Sequence, residues 1–212
     1  MTLHGIQSVK DRRIHLAVTG ASGSILAERF LQFLLACGVG RIYLTISEPG
    51  QQVVDFELKS SDAVGSLKRI ASKNLLDEEK EKIRFFSPSD LFAPVASGSS
   101  VPDTMVILPC SMGTLSRVAA GMSSGLIERA ADVVLKQKKN LVIVPRETPL
   151  SAIHLENMLT LSKLGTHIVP PMPAFYQKPR SLDDMIDFCV GRVAEVMGLS
   201  HEFYEPWNKR MR

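Results

Sequence analysis

Two turns of the chain carry residues that could hold an anion against backbone amides. Residues 19–23 read TGASG and residues 109–116 read PCSMGTLS, and each turn follows a short apolar run. Such turns let backbone N–H groups and the Ser22 hydroxyl approach a phosphate at a helix N-terminus. Small side chains also let a planar ring lie against the backbone. The pattern indicates a phosphate-bearing planar ligand, while a turn that needs glycine for its geometry alone explains residues 19–23 equally well.

Cys110 ends the apolar run that precedes the second turn. A cysteine acts as a nucleophile when a neighbouring base or positive charge lowers the pKa of its thiol. No histidine lies near Cys110 in the sequence, so we interpret this residue as a small core side chain at the end of a strand.

Charged residues in the second half of the chain form another candidate group. Arg129 and Lys136 are seven residues apart in an amphipathic segment, which places them on one helix face, and a solvated basic face is the alternative. Arg146 and Glu147 directly follow an apolar run in PRETP (145–149), where opposite charges are costly unless they are solvated, paired or used. A buried glutamate there would have a raised pKa and could serve as an acid or base.

Two more candidates lie towards the C-terminus. Tyr176 stands in the proline-bounded loop AFYQKP (174–179), and Arg192 lies inside an otherwise apolar terminal helix. A lone arginine on such a helix is usually exposed. Together with Arg146 and Lys136, these side chains could surround a second anion.

Alternating strands and helices must position these residues. The apolar runs predict strands at 13–19, 41–47, 83–86, 104–110, 141–145 and 166–171, and helical spacing predicts helices at 25–37, from Ser47, at 125–139, within 145–165 and at 181–198. This alternation predicts an α/β fold with a doubly wound, mostly parallel sheet of five or six strands, Rossmann-like or flavodoxin-like. In such sheets ligands bind beyond the carboxyl ends of the strands, where the unusual turns fall. We expect one domain over residues 12–198, with tails at 1–11 and 199–212.

The composition excludes several classes of protein. The chain has 212 residues, of which 45% are hydrophobic and 22% charged, so it is expected to be globular. A formal net charge of +3 is too weak to indicate a nucleic-acid partner. There is no apolar run of about 20 residues and no leader pattern, which predicts a cytoplasmic protein. The three cysteines and five histidines show no ligand spacing, so no metal is expected.

Neither the dinucleotide fingerprint G-x-G-x-x-G nor a P-loop is present, and Ser47 stands where a nicotinamide-dependent enzyme would carry an acidic residue. The segments instead resemble the UbiX-type flavin prenyltransferases from about Ile14 to Trp207. The segments that carry this resemblance are TGASG (19–23), the strand ending in Ser47, ASGSS (96–100), LPCSMGTLS (108–116), GLIERAADVVLK (125–136), VPRETPLSAIHLENM (144–158) and PAFYQKPRSLDD (173–184).

The resemblance implies an enzyme that joins reduced FMN to dimethylallyl monophosphate without a metal. Bonds form at flavin N5 and C6, and the prenylated FMN serves a UbiD-type decarboxylase. It also implies a dodecamer with sites at subunit interfaces.

The resemblance also assigns residues. For FMN it implies Gly20, Ala21, Ser22, Ser47, Cys110, Ser111, Met112, Gly113, Thr114 and Arg129. For the allyl phosphate it implies Lys136, Arg146, Glu147, Tyr176, Arg192 and Trp207. Glu147 is the candidate for proton handling, with Glu57 and Ser22 assisting near N5. Leu91 replaces an aromatic side chain of some relatives, which leaves the prenyl preference open.

Two other functions stay open at this point. An FMN-dependent decarboxylase of the same superfamily would share the fold, but it typically carries the motif P-x-M-N-x-x-M-W, where this chain has PPMPAFYQKP. A non-enzymatic protein that delivers flavin to a decarboxylase would tolerate the loss of Glu147.

Overall fold

Six parallel strands form a single sheet. The computed structural model describes residues 8–59 and 65–205. The strands are β1 (Arg13–Val18), β2 (Arg41–Ile46), β3 (Ile83–Phe86), β4 (Thr104–Cys110), β5 (Asn140–Pro145) and β6 (His167–Ile168). Their order is β3-β2-β1-β4-β5-β6, with each neighbouring pair parallel. The predicted doubly wound sheet is confirmed, and its order is that of the Rossmann fold, which reverses between β1 and β4.

Helices cover both faces of this sheet. They are α1 (Ser24–Ala36), α2 (Glu48–Glu57), α3 (Leu67–Ala71), α4 (Asp77–Lys80), α5 (Met112–Ala119), α6 (Leu126–Lys136), α7 (Ala152–Lys163) and α8 (Leu182–Val196). Four of these helices begin with a serine N-cap, whose hydroxyl accepts a hydrogen bond from the backbone amide three residues further on. These N-caps are Ser47, Ser111, Ser151 and Ser181.

The two faces of the sheet bury separate apolar clusters, because successive side chains of a strand point to opposite faces. Ile14, Leu16 and Val18 of β1 pack with α1 and α8. Ala17 packs on the other face with residues of α5 and α6. Since both faces are covered, β1 is buried almost throughout and its carboxyl end is held rigidly.

The structure differs from the sequence-based expectation mainly in the lengths of some elements. The strand expected at 166–171 contains only His167 and Ile168, since Pro170 and Pro171 have no N–H to donate to a neighbouring strand. Part of the expected tails is ordered: Val9–Asp11 form a turn of 3-10 helix, and Leu199 is buried against α8. Within the described ranges, no helix has the length and apolar character needed to cross a membrane.

Candidate active site

Thr19 joins the two small-residue turns at the carboxyl edge of the sheet. Its hydroxyl donates a hydrogen bond to the Pro109 carbonyl at 2.9 Å and accepts one from the Ser111 amide at 2.8 Å. The Thr19 amide also donates to the Pro109 carbonyl at 3.2 Å. The ends of β1 and β4 are therefore fixed together at the point where the strand order reverses, which is where such sheets bind ligands.

The N-terminus of α1 is already occupied by a carboxylate of this chain. Glu57, the last residue of α2, accepts hydrogen bonds from the amides of Gly23 at 3.0 Å and Ser24 at 2.8 Å. Partial burial acts to raise the pKa of Glu57, but hydrogen bonds from Ser22, Gly23 and Ser24 outweigh it and leave the pKa below its ordinary value. The first-turn amides of α1 are thus committed to an ionised Glu57.

The first turn of α2 packs directly on the turn after β1. A side chain at Gly20 would place its Cβ 2.6 Å from the Cβ of Pro49, so only glycine allows this approach. The Ser47 hydroxyl caps α2 by accepting from the Gly50 amide at 3.1 Å. Ala21 is buried, whereas the Ser22 side chain is exposed beside Glu57. The predicted residues Gly20, Ala21, Ser22 and Ser47 thus lie on one edge of the sheet.

A cavity of about 270 Å³ opens between α2, α5 and α6 at this edge. Two of the predicted residues, Ser47 and Thr114, line it. The remaining lining residues are Glu48, Pro49, Pro88, Ser89, Ser124, Gly125, Ile127 and Glu128. Hydroxyl groups and short side chains dominate this lining, as expected for a site where a ligand lies against the backbone.

Glu128 lines this cavity and Arg117 pairs with it, and the sequence-based assignment of roles included neither residue. Arg117 Nε donates to Glu128 Oε1 at 2.8 Å, and Arg117 Nη2 donates to the Thr114 hydroxyl at 3.2 Å. The Glu128 side chain is only 7% exposed. The sequence signal that could have identified Glu128 was a charged residue among the apolar positions at the start of α6.

Cys110 has the character expected of a core residue. It is fully buried at the end of β4, and burial, with the Glu128 charge, raises the pKa of its thiol far above the ordinary value. The thiol therefore stays protonated. Met112 is also buried, and Gly113 is exposed in the first turn of α5. Of the predicted turn, Ser111 and Thr114 offer hydroxyl groups, and these lie 3.2 Å apart.

Arg129 lies near the start of α6, and Lys136 is its last residue. Arg129 donates to the Ala96 carbonyl at 3.3 Å and to Asp132 Oδ2 at 3.0 Å. Lys136 is exposed at the last residue of α6. Three residues further along the chain, Nζ of Lys139 lies 3.7 Å from Oδ1 of Asp103, which immediately precedes β4. Lys136 therefore lies at the amino edge of the sheet, away from the cavity.

Arg146 and Glu147 follow β5 at the carboxyl edge, and both side chains are exposed. The Arg146 amide donates to the Cys110 carbonyl at 3.2 Å, and Glu147 Oε1 accepts from the Thr148 amide at 3.0 Å. The burial that would favour an acid or base role for Glu147 is absent in the single chain. A strand of six residues spans about 20 Å, so one chain does not bring Arg146 and Lys136 to the same small anion.

Tyr176 packs against Phe188, which lines a cavity together with Arg192. The Tyr176 and Phe188 rings pack edge to face with centroids 6.1 Å apart. Arg192 lies one turn further along α8, beside a second cavity of about 320 Å³ that Phe188 and the edge strand β6 also line. Trp207 lies outside the described residues. In residues 8–59 and 65–205, no cluster of three or more His, Cys, Asp or Glu side chains could hold a metal ion.

A Rossmann-type sheet with small-residue turns at its switch point and a cavity at the same edge is typical of a nucleotide-binding α/β protein. The Flavoprotein family model matches residues 5–201. The flavin prenyltransferase UbiX of Halalkalibacterium halodurans is 45% identical over 196 residues, 92% of each chain. UbiX of Pseudomonas aeruginosa is 45% identical over 202 residues, 93% of this chain and 95% of that one.

Solved structures agree with these sequence matches. AnUbiX (PadA1) in complex with FMN and dimethylallyl pyrophosphate superposes with a TM-score of 0.82 at 38% identity, over 92% of this chain and 97% of that one. A dodecameric FMN-dependent UbiX-like decarboxylase from Escherichia coli O157:H7 gives a TM-score of 0.81 at 38% identity, over 92% and 98%. The chain belongs to the Flavoprotein family and, within it, to the UbiX flavin prenyltransferases, which confirms the resemblance seen in the sequence.

Proposed function

We propose that this chain is a flavin prenyltransferase that joins reduced FMN to dimethylallyl monophosphate. Carbon–nitrogen and carbon–carbon bonds form at N5 and C6 of the flavin, and phosphate is released. The observation that carries the proposal is the cavity between α2, α5 and α6 at the carboxyl edge of the sheet, in a chain 45% identical to a flavin prenyltransferase. Thr19 holds together the two turns that frame this edge.

The residues around the cavity fit FMN. Ser47 and Thr114 line this cavity together with Ser89, Ser124 and Gly125, so short side chains make up much of its lining. Its volume of about 270 Å³ lies just below the range for ligand pockets, about 300–1,000 Å³, so it would accommodate part of the flavin nucleotide. Leu91 and Phe92, in the loop that follows Pro88 and Ser89, have exposed apolar side chains. A second copy of the chain would cover the rest of the flavin at this rim.

The allyl phosphate is assigned to Lys136, Arg146, Tyr176 and Arg192. Three cations and a phenol would stabilise the departing phosphate while positive charge develops on the allyl group. Because Lys136 and Arg146 lie at opposite edges of the sheet, we propose that different copies contribute them to one site. The dodecameric relative supports an assembly of this kind.

Two acidic residues have different roles in this proposal. Glu147 is exposed next to Arg146 and would move a proton on the phosphate or during ring closure. Glu57 is held ionised by Ser22 and the amides of α1, so it would act as a hydrogen-bond acceptor near N5. Trp207, as a C-terminal aromatic residue, would cover the site.

The product would serve a UbiD-type decarboxylase, and we place both proteins in the cytoplasm. Cys37, Cys110 and Cys189 are all free thiols, which supports a reducing compartment.

An anaerobic reaction tests the proposed activity. Purified protein is incubated with reduced FMN and dimethylallyl monophosphate, and with the diphosphate in a parallel reaction. The flavin is then released and its mass measured. A flavin heavier by one C5 prenyl unit supports the proposal. Bound but unmodified FMN contradicts it, and CO₂ release from aromatic acids would then favour a decarboxylase.

A further inference from the structure

The segment after α8 docks on that helix because residue 191 has no side chain. A Cβ at Gly191 would lie 2.5 Å from Cε1 of Tyr204 and 3.0 Å from Cε1 of His201. The Tyr204 ring packs between Phe188 and His201, with centroid distances of 4.8 Å and 4.7 Å. Glycine at this position therefore brings two aromatic rings onto the surface of α8 beside Arg192.

This docking delivers a hydrogen bond to Glu195. The Tyr204 hydroxyl donates to Glu195 Oε1 at 2.7 Å, and His201 Nε2 lies 3.4 Å from the same oxygen. Burial and the adjacent Glu195 carboxylate raise the pKa of Tyr204. The phenol consequently stays protonated and acts as the donor.

The second oxygen of Glu195 holds Arg192. Nη1 of Arg192 donates to Glu195 Oε2, which completes a chain from Tyr204 through Glu195 to the guanidinium. The Arg192 side chain is 52% exposed. Such an exposed arginine loses rotamer freedom when it binds an anion, and a tether reduces that loss by restricting the free side chain beforehand.

We propose that Glu195 and Tyr204 are positioning residues, which hold Arg192 beside the cavity along β6 and so favour binding of the allyl phosphate. The inference rests on the proposed function, in which Arg192 contacts that phosphate. Glu195 and Tyr204 act through Arg192. Neither of them is assigned a contact with the substrate.

The experiment compares Tyr204→Phe, Glu195→Gln and Arg192→Ala in the full-length protein. For each variant, KM for dimethylallyl monophosphate and kcat are measured anaerobically, and FMN affinity is measured by fluorescence titration. Calorimetric binding of dimethylallyl monophosphate to the FMN-loaded protein gives a readout without turnover. Asp77→Asn is the matched control, because Asp77 and Lys80 form an exposed i, i+3 pair on the distant helix α4.

Tyr204→Phe and Glu195→Gln are each expected to raise KM and weaken calorimetric binding by about tenfold, the effect of losing one charge-assisted hydrogen bond. FMN affinity and kcat are expected to stay unchanged. Gly191→Ala displaces Tyr204 by another route, so it should raise KM by about as much as Tyr204→Phe does. Combined with Tyr204→Phe, it should raise KM little further.

Other results overturn the inference in distinguishable ways. If Arg192→Ala raises KM while Tyr204→Phe and Glu195→Gln do not, the proposed function survives and the positioning role fails. A lower KM in Glu195→Gln would show that Glu195 competes with the phosphate for Arg192, contrary to the inference. Equal losses of FMN and allyl phosphate binding would indicate a purely structural role. If Arg192→Ala leaves KM unchanged, Arg192 does not bind the phosphate and both assignments fail.

Discussion

Arg117 donates a hydrogen bond from Nε to Oε1 of Glu128 at 2.8 Å, at the edge of the cavity between α2, α5 and α6. Glu128 is buried, while Arg117 is partly exposed. A buried carboxylate that loses its cation is strongly unfavourable, and here its charge would also face the proposed site of an anionic nucleotide. Arg117 therefore neutralises the charge of Glu128 in the cavity lining.

We expect Arg117→Met to weaken FMN binding by about tenfold and to lower the free energy of unfolding by about 1–3 kcal/mol. Fluorescence titration with FMN and urea unfolding measure the two effects. The double variant Arg117→Met/Glu128→Gln removes the unpaired charge, so it should recover much of both losses. If the double variant is as impaired as Arg117→Met, the charge of Glu128 is not the cause.

The fold could be predicted from the sequence because its determinants are local. Apolar runs, serine caps and glycine turns alternate along the chain, and each predicts a strand, a helix start or a turn from nearby residues alone. The short β6 shows the limit, since the apolar residues of 166–171 predicted a longer strand than Pro170 and Pro171 allow.

The candidate site was only partly predictable. The turns at 19–23 and 109–116 could be placed together because parallel strands end at a common edge of the sheet. The pairing of Arg117 with Glu128 depends on which faces of α5 and α6 meet, and that of Tyr204 with Glu195 depends on how the segment after α8 folds back on this helix. No short motif encodes such contacts. The separation of Lys136 from Arg146 depends on the direction of α6, which runs antiparallel to β5 and brings Lys139 next to Asp103.

Glu57→Gln should reduce stability in a pH-dependent way. Glu57 has a lowered folded-state pKa, so its carboxylate stabilises the fold above the ordinary value of 4.5, and this contribution is lost as the pH falls through the folded-state pKa. At pH 7 we expect a loss of about 1 kcal/mol in the free energy of unfolding, typical of a lost helix cap. Urea unfolding between neutral and acidic pH measures the difference from the unsubstituted protein.

That difference should shrink as the pH falls below the ordinary glutamate value, because the unsubstituted carboxyl then also becomes neutral. Glu156→Gln, at an exposed position of α7, is the matched control and should cause no such change. A loss of stability in Glu57→Gln that stays constant down to acidic pH would show that the ionised carboxylate is not the stabilising species.

Glu147→Gln should slow formation of the flavin adduct and leave FMN binding intact. Glu147 lies outside the cavity lined by Ser47 and Thr114, so its side chain is not needed to hold the flavin. Loss of a general acid or base typically lowers a rate by about a hundredfold or more. Single-turnover kinetics with FMN titration as control separate the two effects. Unchanged turnover would remove Glu147 from the mechanism and favour a flavin-delivery role.

Mixed assemblies test whether Lys136 and Arg146 reach one phosphate from different copies. Lys136→Ala and Arg146→Ala should each lose most activity alone, since each removes a cation from the proposed clamp. After the two variants are unfolded and refolded together in equal amounts, half of the copies offer Lys136 and the other half offer Arg146. Random mixing then restores both residues in about a quarter of the sites if different copies supply them. Activity near that fraction is the expected result. If one copy supplied both residues, no mixed site would be intact and the activity would stay at the level of the separate variants.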